Sequence, residues 1–197
     1  MKNLKYVNGY IEGYYGKLLT WEKRKLIINS LFKNKMNTYL YAPKEDINHR
    51  FKWKNPYDNY WRKKFQEFTR YSQKQNVNII AGIAPGLDFN FIELVNDTFS
   101  NKCSDFNILV KKSRQLLKDG ANSIALLLDD IPEDNFKKIS KKLSEGHCHG
   151  LLINKLSEKL DKDIYFVPRV YADELDKETP NYLLELSKVI NKKTKIF

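Results

Sequence analysis

Two adjacent aspartates, Asp129 and Asp130, come directly after the apolar run SIALLL at residues 123–128. A single aspartate at the end of a strand often caps the helix that follows, and this structural role is the ordinary alternative to a catalytic one. Two carboxylates packed together repel each other, which raises the pKa of one of them and keeps it protonated near neutral pH. The pair indicates a site for acid catalysis, although the pair alone does not decide the matter.

Polar side chains also follow the other predicted strands. In a barrel of parallel strands, the residues that do chemistry lie at the carboxyl ends of the strands. Carboxylates, a lysine and tyrosines that converge there suit a polyhydroxylated ligand, because each sugar hydroxyl can both donate and accept a hydrogen bond. The segments at these strand ends are Glu12–Gly16, Pro43–Asp46, Pro85–Asp88 and Pro168–Tyr171.

The elements that must position these residues alternate between strand and helix. Predicted helices run from Trp21 to Phe32 with Thr20 as N-cap, from Trp61 to Ser72, and from Phe106 to Leu117 with Gly120 at the end; others fit about residues 136–143, 148–161 and 180–191. Short runs rich in β-branched and aromatic residues predict the strands, which are Tyr6–Glu12, Met36–Ala42, Val77–Ala84, Ser123–Leu128, Asp163–Val170 and the beginning of a sixth at Thr194–Phe197.

This alternation predicts an α/β fold with a parallel sheet, because right-handed crossover helices connect strands that point the same way. Such a sheet is either an open doubly wound sheet or a barrel. The chain contains neither G-x-G-x-x-G after the first strand nor G-x-x-x-x-G-K-[ST], so the nucleotide-binding open sheets lack their phosphate loop. A (β/α)8 TIM-type barrel is favoured.

Composition limits the partners. With 42% hydrophobic residues and no linker-like stretch, residues 1–197 are predicted to form a single domain, without a signal peptide or membrane span and therefore cytoplasmic. The formal charge of +11 would fit a nucleic-acid-binding domain, which predicts a steep salt dependence of binding. The same lysines fit the solvent faces of helices in a protein whose codons are rich in A and T, so nucleic acid is not the expected partner.

No metal or cofactor is predicted. His147, Cys148 and His149 alternate His and Cys, but neighbouring positions on a helix do not share one face, and the sequence offers no second cluster of ligands.

Several segments, in order and at similar spacing, make the chain resemble the family-84 glycoside hydrolases, which are the O-GlcNAcases and related β-N-acetylglucosaminidases. The resemblance covers the chain from about Gly9 to Phe197. It rests on Gly9–Gly16, Met36–Asp46 with His49, Arg50 and Trp53 after it, Ala84–Asp88, and Lys118–Ile131.

The resemblance implies a mechanism in which the 2-acetamido oxygen of the sugar attacks the anomeric carbon and forms an oxazoline. Asp129 would accept the acetamido N–H, and Asp130 would protonate the departing oxygen and then activate water. Gly13 would present its carbonyl to the sugar, Lys44 would donate to a hydroxyl, and Tyr171 would bond the acetamido oxygen. Tyr15 would line the pocket, or would only pack beside it.

The resemblance also has departures. Glu45 stands where the family usually has Asp, and Arg169-Val170 replace the usual Thr-Glu before Tyr171. The chain ends at Phe197, just where the sixth strand would lead into the family's W-T-G segment, so the sequence predicts a barrel truncated to about the first five to six strands. Such a barrel would expose an edge and part of its core, which permits self-association through that edge.

Three interpretations of the chain remain open at this stage. It is a piece of a longer enzyme, a truncated chain with weak or no activity, or a domain that completes its barrel with a partner. The alternative in function is a glycan-binding module of the same fold that lacks turnover. In each case the expected partner is a glycoconjugate or glycoprotein that bears N-acetylglucosamine.

Overall fold

The structure is a computed structural model that describes residues 7–95, 104–132 and 143–197. Its sheet contains six strands in the order of the sequence, and every neighbouring pair is parallel. This topology confirms the predicted fold class, because consecutive parallel strands that form one curved sheet are part of a (β/α)8 barrel. The strands are β1 Gly9–Glu12, β2 Thr38–Tyr41, β3 Asn78–Ile83, β4 Ser123–Leu127, β5 Tyr165–Val167 and β6 Lys195–Ile196.

Helices connect the strands and cover one face of the sheet. Four of them begin at a residue whose side chain accepts a hydrogen bond from the backbone three positions on: Thr20 (the predicted N-cap), Asp58, Ser104 and Ser144. The helices are α1 Trp21–Lys33, α2 Asn59–Lys74, α3 Phe91–Val95, α4 Asp105–Lys118, α5 Glu145–Leu160, α6 Asp173–Glu178 and α7 Tyr182–Val189.

The predicted helices differ from these in detail. The sequence pattern missed α3 and α6, which have five and six residues and are too short to show a helical period. Gly120 has φ +106°, as expected for the residue that ends a helix in the left-handed region. The helix predicted at about 136–143 falls, except for its last residue, outside the described residues.

The two faces of the sheet carry separate apolar clusters. The face toward the helices packs with them into the larger core, which includes Tyr39, Tyr41 and Phe166. The opposite, inward face carries a small cluster of short aliphatic side chains, namely Leu40, Ala42, Ile80, Ala84, Ala125 and Leu127.

Exposure of the inward face is smaller than the truncated barrel predicts. None of the six residues of the inward cluster is more than 4% exposed. Large exposed apolar side chains of the sheet lie at its two edge strands, where Ile11 of β1 and Phe197 after β6 are 50% and 44% exposed. Self-association through these edges stays a prediction. Within the described part of the chain, no helix is long and apolar enough to cross a membrane.

Two buried histidines make a testable prediction for stability. Burial lowers the pKa of His49 to about 4, and burial together with the neighbouring Arg169 lowers that of His149 to about 3. Both pKa values lie below the ordinary value of 6.5, so the unfolded chain binds more protons than the folded one below pH 6.5. The contribution of these histidines to the free energy of unfolding is therefore largest above pH 6.5. It falls as the pH drops toward 4, by up to about 1.4 kcal/mol per pH unit for each histidine.

Urea unfolding at a series of pH values measures this effect. We expect a shallower loss between pH 6.5 and 4 for His149→Gln than for the unsubstituted chain. The control is His147→Gln, because His147 lies on the same helix and is only partly buried. Equal slopes for all three proteins would contradict the prediction.

Candidate active site

The candidate site lies at the carboxyl ends of the strands. Because the strands are parallel, the residues that follow them meet at one edge. Tyr15 follows β1, Lys44 follows β2, Asp129 and Asp130 follow β4, and Tyr171 follows β5. The structure brings these five predicted site residues into one cluster.

Lys44 connects the two carboxylates. Its Nζ lies 2.5 Å from Asp129 Oδ2 and 3.4 Å from Asp130 Oδ2. The lysine is only 3% exposed, whereas Asp130 is 35% exposed and thus accessible to a ligand. A buried ammonium between two carboxylates removes most of the repulsion that adjacent aspartates would otherwise have.

Asp130 also receives bonds from both tyrosines. The Tyr15 hydroxyl donates to Asp130 Oδ2 at 3.1 Å, and the Tyr171 hydroxyl lies 3.4 Å from Asp130 Oδ1. Arg50 donates to the Asp130 backbone oxygen at 2.6 Å and to the Tyr15 hydroxyl at 3.0 Å. The carboxylate therefore lies at the centre of hydrogen bonds from the loops that follow β1, β2 and β5.

The pKa of Asp130 is lowered, not raised. Partial burial by itself would raise the pKa of Asp130, but the Lys44 ammonium, the Tyr15 hydroxyl and the Arg50 guanidinium outweigh it and lower that pKa. Repulsion between Asp129 and Asp130 had been expected to raise one pKa. For Asp130 the shift has the opposite direction, because Lys44 and Arg50 lie beside its carboxylate, which adjacency in the sequence does not reveal.

Tyr171 lies on the solvent side of the cluster and is about half exposed. Burial and the neighbouring Asp130 raise the pKa of Tyr171, so its hydroxyl stays protonated and can donate a hydrogen bond to Asp130. The strand end that carries Tyr171 is held by Arg169, whose guanidinium bonds both carboxylate oxygens of Glu145 at 2.6 Å. Arg169, one of the departures from the family pattern, thus has a buried partner on α5, which the sequence alone did not indicate.

The loop after β1 depends on glycine. Gly13 lies directly after β1 at the same edge, and its predicted role uses only its backbone carbonyl. Gly16 has φ +112°, a conformation that favours glycine, and its N–H donates to Glu45 Oε1 at 3.1 Å. Glu45, another departure from the family pattern, therefore fastens the β1 loop to the β2 loop.

A cleft of about 740 Å³ lies at the amino ends of the strands, beside Asn122, Asn154 and Lys195. Its amides already serve the fold: Asn122 Oδ1 accepts from the Ile79 N–H and Asn154 Nδ2 donates to the Val189 carbonyl. In residues 7–95, 104–132 and 143–197, no three His, Cys, Asp or Glu side chains come together in a way that could hold a metal ion. The site at the carboxyl ends of the strands is thus the better candidate.

Comparison with known proteins shows the family to which the chain is similar. A family model described as beta-N-acetylglucosaminidase matches residues 8–197. Curated proteins named Protein O-GlcNAcase, from Rattus norvegicus and Mus musculus, are each 32% identical to this chain over 146 residues. That match covers 74% of this chain and 15% of each relative, so the chain spans only a small part of their length.

Solved structures show the same fold. A mutant of the Thermobaculum terrenum O-GlcNAc hydrolase superposes with a TM-score of 0.82 at 24% identity, covering 98% of this chain and 40% of that one. The structure of CpGH84B superposes with a TM-score of 0.80 at 26% identity, covering 95% of this chain and 32% of that one.

Proposed function

Because the chain belongs to the beta-N-acetylglucosaminidase family, we propose that it is a glycoside hydrolase that removes β-linked N-acetylglucosamine from a glycoconjugate or glycoprotein. The proposed reaction is substrate-assisted and retains the configuration of the sugar through an oxazoline intermediate. The family membership confirms the resemblance seen in the sequence. The activity, the substrate and the role of each residue are the proposal.

One oxygen atom carries the proposal. Asp129 Oδ1 is buried and, among the described residues, has no hydrogen-bond partner, while Oδ2 is bonded to Lys44. A buried carboxylate oxygen without a donor is unfavourable, and an acetamido N–H would supply that donor. This contact would orient the acetamido oxygen toward the anomeric carbon and stabilise the positive charge that develops on the ring.

Asp130 would handle the protons. As the acetamido oxygen bonds to the anomeric carbon, the bond to the leaving oxygen breaks and Asp130 gives that oxygen its proton. Asp130 then takes a proton from the water that adds to the anomeric carbon, which reopens the oxazoline. The exposure of Asp130 on the rim supports this role, because the leaving group and the water must both reach it.

A general acid must carry a proton before the bond breaks, whereas the cations beside Asp130 favour its ionised form. The proposal therefore requires the bound sugar to draw Lys44 away from the pair. A Lys44 ammonium that turns from Asp129 to a sugar hydroxyl would do so. Gly13 and Tyr171 would bind the sugar as the resemblance implies, and Tyr15 would line the pocket beside Asp130.

The first experiment compares two chromogenic substrates that differ only at position 2 of the sugar. We expect the chain to release nitrophenol from nitrophenyl N-acetyl-β-glucosaminide at least about 100 times faster, in kcat/KM, than from nitrophenyl β-glucoside. The glucoside has a hydroxyl in place of the acetamide, so it lacks the internal nucleophile and leaves Asp129 Oδ1 without its donor.

The other outcomes are also informative. Equal rates on both substrates would contradict the substrate-assisted mechanism. No turnover of either substrate, together with saturable binding of N-acetylglucosamine measured by NMR, would favour the glycan-binding module. Absence of both turnover and binding would overturn the proposed function for this chain.

A further inference from the structure

Asp130 has an unusual backbone. Its φ is +55°, in the left-handed region that residues other than glycine rarely adopt, although aspartate and asparagine tolerate it better than most. Such a conformation persists when the surrounding structure holds it, and it is concentrated at functional sites. A neighbouring side chain must therefore stabilise this backbone conformation of Asp130.

Arg50 makes the contacts that could do so. One guanidinium nitrogen donates to the Asp130 backbone oxygen at 2.6 Å. The other donates to the Tyr15 hydroxyl at 3.0 Å and lies 3.9 Å from Asp130 Oδ2. Since Tyr15 in turn donates to the same Oδ2, one arginine contacts the backbone of Asp130 and the group that orients its carboxylate.

Arg50 itself lies in a segment that is hydrogen-bonded to the helix layer. It lies in the turn after β2, and the residue is 6% exposed. The Lys112 ammonium, buried on α4, donates to three backbone oxygens of this turn: those of Asn48 at 2.5 Å, Trp53 at 2.8 Å and Asn55 at 2.8 Å. A buried ammonium needs such partners, so the turn that carries Arg50 is fixed to the helix layer.

We propose that Arg50 is a positioning residue of this site: it holds Asp130 in its left-handed conformation and aims the carboxylate at the leaving group, without binding the sugar. The proposal rests on the proposed function. Arginine is suited to this task because its planar fork reaches a carbonyl and a hydroxyl at once, which the single ammonium of lysine does not reproduce.

The experiment uses two variants that separate charge from geometry. Arg50→Lys keeps the positive charge and loses the fork, and Arg50→Met loses both. The matched control is Arg70→Met, because Arg70 is an exposed arginine on α2 outside the site. For all proteins kcat and KM are measured on nitrophenyl N-acetyl-β-glucosaminide, and the carboxyl carbon of Asp130 is titrated by NMR in the protein without substrate.

We expect both Arg50 variants to lose about 10-fold to 100-fold in kcat while KM changes by less than about 3-fold. The Arg50 charge favours the ionised form of Asp130, so the titration of Asp130 moves to higher pH in Arg50→Met and stays near its original midpoint in Arg50→Lys. A structural role in folding alone would not produce this difference between the variants.

The proposal is overturned if both variants keep kcat within about twofold of the unsubstituted chain. If the unsubstituted chain does not turn over the substrate, the proposed function fails, and NMR still decides the positioning role: an unchanged three-bond HN–Hα coupling of Asp130, which reports its φ, in both Arg50 variants overturns it. Should Arg50→Met fail to fold, Arg50→Lys alone tests the proposal. A loss in kcat with KM nearly unchanged supports it, and an unchanged kcat overturns it.

Discussion

Asp130→Asn is expected to lower kcat on N-acetylglucosaminides by about 100-fold to 10,000-fold, the range that a general acid contributes. Asparagine has the same shape as aspartate and tolerates the left-handed backbone at this position, so the fold and the hydrogen bond from Arg50 to the backbone should persist. The loss then reports the missing proton donor rather than a change in structure.

The size of the loss should depend on the leaving group. Nitrophenolate is a weak base and leaves with little help, so the lower end of the range applies to nitrophenyl N-acetyl-β-glucosaminide. An alkyl N-acetyl-β-glucosaminide has a strongly basic leaving oxygen that needs a proton as the bond breaks, and the upper end of the range applies there. Parallel measurement of kcat/KM on the two substrates checks this difference, because kcat/KM reports the step in which the leaving group departs.

Asp161→Asn is the matched control. Asp161 is also an aspartate with positive φ, at +50°, but it ends α5 and lies beside the cleft at the amino ends of the strands. We expect this substitution to leave kcat unchanged on both substrates. An equal loss of kcat/KM, which reports the step that breaks the bond to the leaving group, on both substrates in Asp130→Asn would contradict the role of Asp130 as proton donor.

Arg24→Met is expected to lower the free energy of unfolding by about 3–5 kcal/mol, which is a large part of the stability of an ordinary domain. Glu12 and Arg24 are 1% and 2% exposed, and the guanidinium bonds both carboxylate oxygens at 2.8 Å. Without the arginine, the carboxylate that ends β1 would remain buried without its counter-charge.

A second substitution tests this explanation. The double variant Glu12→Gln with Arg24→Met removes the buried charge but keeps an acceptor for the Tyr39 hydroxyl, which donates to Glu12 Oε2 at 2.6 Å. We expect it to be more stable than Arg24→Met alone, because the large penalty comes from the unpaired charge. Urea unfolding followed by circular dichroism, with both midpoint and slope fitted, measures each free energy.

The control for the stability series is Lys188→Met. Lys188 pairs with Glu185 at 2.6 Å on the surface of α7 and is 56% exposed. Exposed ion pairs contribute about 0–1 kcal/mol, so this substitution should have little effect. A similar loss for Arg24→Met and Lys188→Met would show that burial of the Glu12–Arg24 pair adds nothing to stability.

Much of the fold could be predicted from the sequence. All six predicted strands exist, and the Thr20 N-cap and the helix ends near Lys33 and Gly120 follow from local chemistry. Strand and helix periods are set by neighbours within a few residues, so they can be read from the chain. The short helices α3 and α6 could not, because one to two turns carry too few positions to show a period.

The candidate site could be predicted in part. Strand order places Lys44, Tyr171 and the Asp129–Asp130 pair at one edge, and the structure brings them together with Tyr15. Their roles in catalysis stay predictions until the substitutions above are measured. The contacts of Arg50 with Asp130 were not predicted, because the sequence pattern identified Arg50 only as part of a family motif and assigned it no partner.

The sequence by itself determined the alternation of strands and helices, and with it the edge at which the polar loops converge. Only the tertiary structure decided which cation faces which carboxylate: Lys44 with Asp129 across 85 positions of the chain, and Arg50 with Asp130 across 80. The reason is physical. Periodicity places a residue on a face and at a strand end to within several ångströms. The pKa of Asp130, and the lack of a partner for Asp129 Oδ1 among the described residues, depend on differences of about one ångström between loops from separate strands.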